Sequence, residues 1–205
     1  MGVLDRVFAR VYDRALATSE ARGLAEARRD LLASLDGTVV EVGAGTGLNL
    51  PHVPDGVERW IATEPEPAMA AQLRRRAADD PRIEVVEAPG QALPLADGAA
   101  DHAVVTLVLC TVPDVAATAR ELARVVRPGG TLALIEHVAA DGGWHTAQRV
   151  VEPVWKVAAR GCHLTREPLD LLEAEGFDTS GVRPWTVPAA PPIASPALRG
   201  HAVRR

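Results

Sequence analysis

A chain of 205 residues, 47% of them hydrophobic, is long enough to enclose one complete core and to bury about 70% of the surface it exposes when unfolded. A net charge of −5 and a pI near 5.7 exclude a large nucleic-acid footprint. Two cysteines, Cys110 and Cys162, are too few for a disulfide scaffold and suit a reducing compartment; with no signal peptide and no run of about 18 apolar residues, a cytoplasmic location is expected.

The opening segment sets Val3, Leu4, Val7, Phe8, Val11, Tyr12 and Leu16 at helical spacing, an amphipathic helix better suited to packing on a domain than to a membrane surface. A second helix is expected over 20–35. From there short apolar runs alternate with helical stretches. TVVEVG (38–43) and WIATE (60–64) read as strands, and PEPAMAAQLRRRAAD (65–79) as a helix with prolines at its start. IEVVEA (83–88) and HAVVTLVL (102–109) are the third and fourth strands. VAATARELARVV (115–126) is helical and ends at RPGG, and TLALIEHV (131–138) is the fifth strand.

These strands are apolar nearly throughout, as parallel strands covered on both faces should be. Strand and helix in alternation predict an α/β fold with a doubly wound, mostly parallel sheet and N-terminal helices packed on it. Helices are expected over 146–159 and 166–175. FDTSGVRPWTV (177–187) and LRGHAVRR (198–205), joined by a proline-rich loop, then read as an antiparallel pair closing one edge. No repeat, linker or composition break divides the chain.

The strongest chemical signal is EVGAGTGLN, Glu41 to Asn49, at the end of the first strand. Gly43, Gly45 and Gly47 let backbone turn sharply and approach a ligand, and a helix N-terminus behind them would offer unpaired N–H groups. A tight structural turn would use the same glycines. The dinucleotide fingerprint Gly-x-Gly-x-x-Gly fails because position 48 is leucine. Glu41, two residues before the first glycine, could pair with a cationic amino-acid group or be structural; Glu64, closing the second strand, could take a ribose diol or be a solvated strand end. Together they favour a ligand with a ribose and a positive charge, for which S-adenosylmethionine is the natural candidate.

EVGAGTG, TEPEPAM, APGQALPLADGAAD, VVTLVLCTVPD and VVRPGGTLALIEHV, in this order between Val39 and Val138, resemble the class I S-adenosylmethionine-dependent methyltransferases. LVLCTVPD, EHVAADGGW and GCHLTRE resemble, more narrowly, bacterial relatives of the animal methyltransferase-like thiol methyltransferases. The resemblance implies a Rossmann-like methyltransferase domain over 1–205: an N-terminal helical segment (1–36), a cofactor-binding core (37–140), and substrate-side helices with the closing strands (141–205). It implies that Gly43, Ala44, Gly45, Thr46 and Gly47, with Glu41 and Asn49, wrap the methionine moiety, and that Glu64 takes the ribose hydroxyls. Pro65 and Met69 would flank the adenine or its ribose. Gly90, Gln91 and Ala92 match the adenine segment, where family members often have an acid in place of Gln91. Thr106, Leu107 and Cys110 match the segment facing the reacting methyl.

Methyl transfer from a sulfonium is an in-line displacement with a neutral leaving group, so alignment and exclusion of water matter more than an acid. A thiol, with a reference pKa near 8.5, needs at most a weak base, a phenol near 10 needs more, and an alcohol more still. A small thiol or other soft nucleophile is the expected acceptor; the alternative is O-, N- or C-methylation of an apolar natural product, quinone or lipid. A nucleotide-dependent oxidoreductase and a binding-only protein are the competing classes. Glu136, His137 and His163 are the candidate bases, at the carboxyl end of the fifth strand and on the RGCHLTREP segment (160–168), where Thr165 is expected to cap the next helix. No metal is expected, because the cysteines lie 52 positions apart with no CxxC or HxxxH pairing. Neither cysteine is needed as a nucleophile, and Cys110 after TLVL reads as a small buried hydrophobe. The expected partner is a small-molecule acceptor, with no nucleic acid and no stable membrane insertion, for a monomer or homodimer.

Overall fold

The computed structural model describes residues 13–205, so most of the amphipathic opening lies outside the described residues. The chain is helical over 13–19 (α1) and continues through one wide turn, Glu20–Leu24, into α2 (Ala25–Leu32). Gly23, at φ 126°, kinks this stretch. The strands follow as β1 (Gly37–Val42), β2 (Val57–Thr63), β3 (Ile83–Val86), β4 (Ala100–Thr106), β5 (Val126–His137), β6 (Phe177–Thr186) and β7 (Pro196–Arg204). The helices between them are α3 (Pro67–Ala77), α4 (Val115–Val125), α5 (Gly142–Ala158) and α6 (Pro168–Ala174).

All seven strands form one sheet in the order β3-β2-β1-β4-β5-β7-β6. The pairs β1–β2, β2–β3, β1–β4 and β4–β5 are parallel, while β7 runs antiparallel to both β5 and β6. Only β7 is therefore reversed, inserted between β5 and β6 to complete the expected antiparallel closure. The nearly unbroken apolar runs follow from coverage on both faces. In β1, Val40 and Val42 join the layer under α4 and α6 with Leu122 and Leu172, whereas Val39 joins the opposite layer with Leu31 of α2 and Leu73 of α3. Side chains alternate across a strand, so two apolar layers demand apolar residues at successive positions.

Local signals place the helix starts. Glu66 caps α3 by accepting from Met69 N at 2.8 Å, and Asp114 caps α4 by accepting from Ala117 N at 2.9 Å. Two expectations fail. No α-helix follows the glycine loop; residues 45–49 form hydrogen-bonded turns and Leu50–His52 a single 3-10 turn. Pro51 and Pro54, which have no N–H to donate, stop a helix from growing there. Thr165 does not cap α6, whose first residue Pro168 is preceded by Glu167. Its hydroxyl and N–H both bond Glu152 of α5, at 2.6 and 3.1 Å.

Candidate active site

β1 feeds back to β2 on one side while β4 feeds β5 on the other, so the chain diverges between β1 and β4. The crevice outside the carboxyl ends of such strands is where open α/β sheets bind ligands. A cavity of about 420 Å³ opens there. Gly43 and Gly45 come from the end of β1, Glu64 and Pro65 from the end of β2, Gly90 and Gln91 from the loop after β3, and Thr106 and Leu107 from the end of β4. Gly43 has φ 66°, and a Cβ there would stand 2.8 Å from both γ-carbons of Val108. A Cβ on Gly90 would meet Val42 Cγ1 at 2.8 Å. Both glycines let one strand-end loop lie directly against the next.

Glu64 is buried at the head of the cavity. Its Oε2 accepts from Gly45 N and its Oε1 from Glu66 N, each at 2.9 Å, which binds the glycine loop to the end of β2. Burial raises its pKa above the ordinary carboxylate value, against these two backbone donations. Two backbone bonds leave a carboxylate with acceptor capacity for a pair of hydroxyls. Gln91 Oε1 is buried in the cavity wall without a partner, an acceptor suited to an exocyclic amino group.

Glu41 sits deeper. Asn49 Nδ2 donates to its Oε1 at 2.8 Å and Trp60 Nε1 to its Oε2 at 2.9 Å, and burial raises its pKa. Asn49 also donates to Thr106 Oγ1 at 2.9 Å and accepts from Arg28 Nη1 at 2.9 Å. Arg28 is itself buried and pairs with Glu20 at 3.0 Å. It lines a smaller cleft with Glu41, Gly43, Ala44, Gly45, Thr46 and Asn49. A guanidinium there faces the same glycine loop as the two carboxylates. Thr46 is held from the other side, its hydroxyl donating to Asp13 at 2.6 Å and its carbonyl accepting from Arg76 at 3.0 Å.

At the other end the cavity is lined by Val108, Thr111, Val112 and Pro113 after β4 and by Ala159 and Arg160 after α5. Leu107 and Arg160 both adopt left-handed backbone, at φ 60° and 49°, unusual for residues with a Cβ. The loop after β4 is pinned from beneath. Glu136 Oε1 accepts from Val108 N at 2.8 Å and Leu109 N at 3.0 Å, while Oε2 has no partner; burial pushes its pKa up to about 7 despite those bonds. Arg166 Nη1 donates to the carbonyls of Leu109 and Val112, at 2.6 and 2.7 Å. Behind this loop Cys110, His137 and Cys162 converge, with a ligand atom of each within 4.8 Å of the others. The Cys110 thiol donates toward the Cys162 sulfur, which pulls Cys162 down to about 5 with help from His137 and Trp155 and pushes Cys110 up. His163 donates its backbone N–H to Cys110 O at 2.8 Å, and its ring Nδ1 lies 3.1 Å from Glu152 Oε1.

Residues 40–134 match the model of the methyltransferase domain family. The chain is 35% identical to human thiol S-methyltransferase TMT1A over 173 residues, 82% of this chain and 70% of the relative. It is 34% identical to human thiol S-methyltransferase TMT1B over 203 residues, 92% of this chain and 83% of that one. The chain belongs to the class I S-adenosylmethionine-dependent methyltransferases. A crystal structure described as a SAM-dependent methyltransferase from Thermotoga maritima superposes with a TM-score of 0.73 at 21% identity, covering 100% of both chains, and shares the fold.

Of the cofactor residues expected in this methyltransferase, Gly43, Gly45, Glu64, Pro65, Met69, Gly90, Gln91, Thr106 and Leu107 line the main cavity. Glu41, Ala44, Thr46 and Asn49 line the adjoining cleft. Gly47, Ala92 and Cys110 line neither: Gly47 packs against Leu50 and Leu73, the N–H of Ala92 closes a turn on Pro89 O, and Cys110 is buried behind the loop. Glu136 and His137 are buried and line neither, and His163, partly exposed against Glu152 of α5, does not line the cavity. Sequence reasoning missed Arg28, Thr111, Val112, Ala159 and Arg160. Arg28 carries a faint signal, a lone cation on the apolar face of a helix; the others come from loops whose path only the fold decides. The residues present fit S-adenosylmethionine: a ribose acceptor in Glu64, an orphaned acceptor in Gln91, and carboxylate and guanidinium groups around the glycine loop. The two cysteines, 52 positions apart in the chain and expected for that reason to hold no metal, are brought together with His137 by the fold.

Proposed function

We propose that this methyltransferase methylates a small thiol. The similarity to two thiol S-methyltransferases across most of the chain carries this reading. The character of the distal cavity supports it. That end is built from Val108, Val112, Pro113 and Ala159, with Thr111 and Arg160 beside them. A largely apolar wall suits a soft, weakly solvated nucleophile that needs no dedicated base. S-adenosylmethionine, when bound, supplies an electrophilic methyl whose departure leaves a neutral thioether. The chain's own residues bind and orient: Glu64 takes the ribose hydroxyls, Gln91 the adenine amino group, Arg28 the amino-acid carboxylate, and Glu41 with Asn49 the loop that carries them. Alignment of this kind is worth roughly 7–11 kcal/mol in well-oriented systems. Glu136, His137 and His163 act on this reading as positioning residues for the loops at the acceptor end. We further read residues 1–205 as one catalytic domain acting in a reducing, cytoplasmic compartment.

The deciding experiment measures S-adenosylhomocysteine formed with alkyl thiols, hydrogen sulfide, phenols, quinols and amines. Thiol turnover well above every oxygen and nitrogen acceptor is expected. Preference for a phenol, quinol or amine rejects the thiol assignment and moves the enzyme to O-, N- or C-methylation.

A further inference from the structure

Behind the acceptor-end loop, three ligand-bearing side chains from three separate segments meet: Cys110 after β4, His137 ending β5, and Cys162 after α5. One sulfur or ring nitrogen of each lies within 4.8 Å of the other two, and Cys162 Sγ is 3.9 Å from His137 Nδ1. Tetrahedral zinc, with bonds of about 2.3 Å to sulfur and 2.0–2.1 Å to nitrogen, sets its ligand atoms roughly 3.5–3.8 Å apart. A contraction of about 1 Å or less closes the cluster onto an ion.

The surroundings leave polar atoms without partners. His137 is 4% exposed and its Nε2 makes no hydrogen bond. Glu136 Oε2, on the neighbouring residue, is likewise buried and unpartnered, and Trp155 Nε1 stands beside the Cys162 sulfur. Buried polar groups are nearly always satisfied, and two orphans around two sulfurs and an imidazole mark a place where something polar belongs.

We propose that Cys110, His137 and Cys162 bind one zinc-class divalent cation. Two thiolates and an imidazole form the soft donor set that selects Zn²⁺ over Mg²⁺ or Ca²⁺, and both thiol protons leave to solvent as the ion enters. Two thiolates neutralise the ion, Trp155 N–H turns to a thiolate sulfur, and the fourth position is open to water or another small donor. The ion joins the ends of β4 and β5 to the loop after α5, which supplies Ala159 and Arg160 to the cavity. It thereby fixes the acceptor end, independently of which acceptor is used.

The test uses the whole chain, reduced, stripped with a chelator and titrated with Zn²⁺ and separately with Co²⁺. One Zn²⁺ per chain is expected, with a Kd below about 1 μM, and the Co²⁺ form should show a thiolate-to-metal charge-transfer band with the intense visible bands of tetrahedral cobalt. Cys162→Ser should weaken Zn²⁺ at least about 100-fold and, at saturating Co²⁺, cut the charge-transfer absorption to about half, because Cys110 still supplies one thiolate, and His137→Gln should weaken binding in the same direction. If either variant misfolds, the wild-type cobalt spectrum decides alone. Substoichiometric zinc, an octahedral cobalt spectrum without thiolate absorption, or undiminished binding by folded Cys162→Ser overturns the proposal. None of these readouts involves methyl transfer, so the outcome is separate from that of the acceptor panel.

Discussion

Replacing Glu64 by glutamine tests the cofactor assignment with little change of shape. The wild-type carboxylate holds Gly45 N and Glu66 N, one on each oxygen, and keeps one acceptor position per oxygen for the ribose diol. Glutamine keeps one acceptor oxygen and turns the other position into a donor, so one ribose hydroxyl loses its charge-assisted bond. Such bonds contribute about 1.5–3 kcal/mol each, which predicts a 10- to 150-fold weaker Kd for S-adenosylhomocysteine, on the order of tenfold per 1.4 kcal/mol. Stability should move differently. Burial raises the folded pKa of Glu64 above the ordinary carboxylate value, so its contribution to stability is full below that value and is lost as pH rises through the folded pKa. At neutral pH the ionised side chain is therefore a net cost, which the substitution relieves, but the glutamine NH2 leaves Gly45 N or Glu66 N without an acceptor at about 1–3 kcal/mol, so the melting temperature should fall modestly. Calorimetric titration at neutral pH, paired with thermal unfolding, gives both numbers. A Kd within about threefold of wild type in a folded Glu64→Gln chain, well below the expected loss, would falsify the ribose assignment.

The same carboxylate predicts that wild-type affinity for S-adenosylhomocysteine is full above the raised pKa of Glu64 and falls as pH drops through it, a dependence that Glu64→Gln should flatten; equal slopes in the two chains would contradict this. Glu136→Ala strips the buried N–H groups of Val108 and Leu109 of their acceptor, and denaturant unfolding should register a loss of about 3 kcal/mol or more, whereas a change under about 1 kcal/mol would mean the loop holds itself. Gly43→Ala combines left-handed backbone, costing about 1–2 kcal/mol, with a 2.8 Å approach to Val108, so both melting temperature and cofactor affinity should fall; an unchanged chain would remove the close-approach argument. His163→Ala frees Glu152 and loosens the loop after α5, and steady-state kinetics should show an altered acceptor KM with unchanged S-adenosylhomocysteine affinity. The reverse pattern would detach His163 from the acceptor end.

The parallel sheet was legible because apolar layers on both faces leave unbroken runs such as VVEV and TLALI, and because Pro67 and RPGG mark helix ends through strictly local chemistry. Most of the lining of the candidate cavity was legible for a related reason: its residues lie within a few positions of strand ends, and strand ends in such a sheet share one edge. Glu64 and the glycine loop meet across β1 and β2 because those strands are parallel neighbours in register, with Val42 opposite Thr63. The helix expected behind the glycine loop fails on Pro51 and Pro54, whose missing N–H groups override the usual strand–turn–helix order. What the sequence could not determine lies at the acceptor end. Thr165 was free to cap its own helix or to bond Glu152, and only the docking of α5 against that loop chose between them. Cys110 and Cys162 are 52 positions apart and carry no spacing pattern, so one-dimensional reasoning set them aside. Sequence by itself determined the fold and the donor pocket, whose interactions follow local periodicity and shared strand ends. Tertiary structure decided the acceptor wall and the Cys110–His137–Cys162 cluster, because long-range packing, not chain spacing, sets which loops share a buried volume.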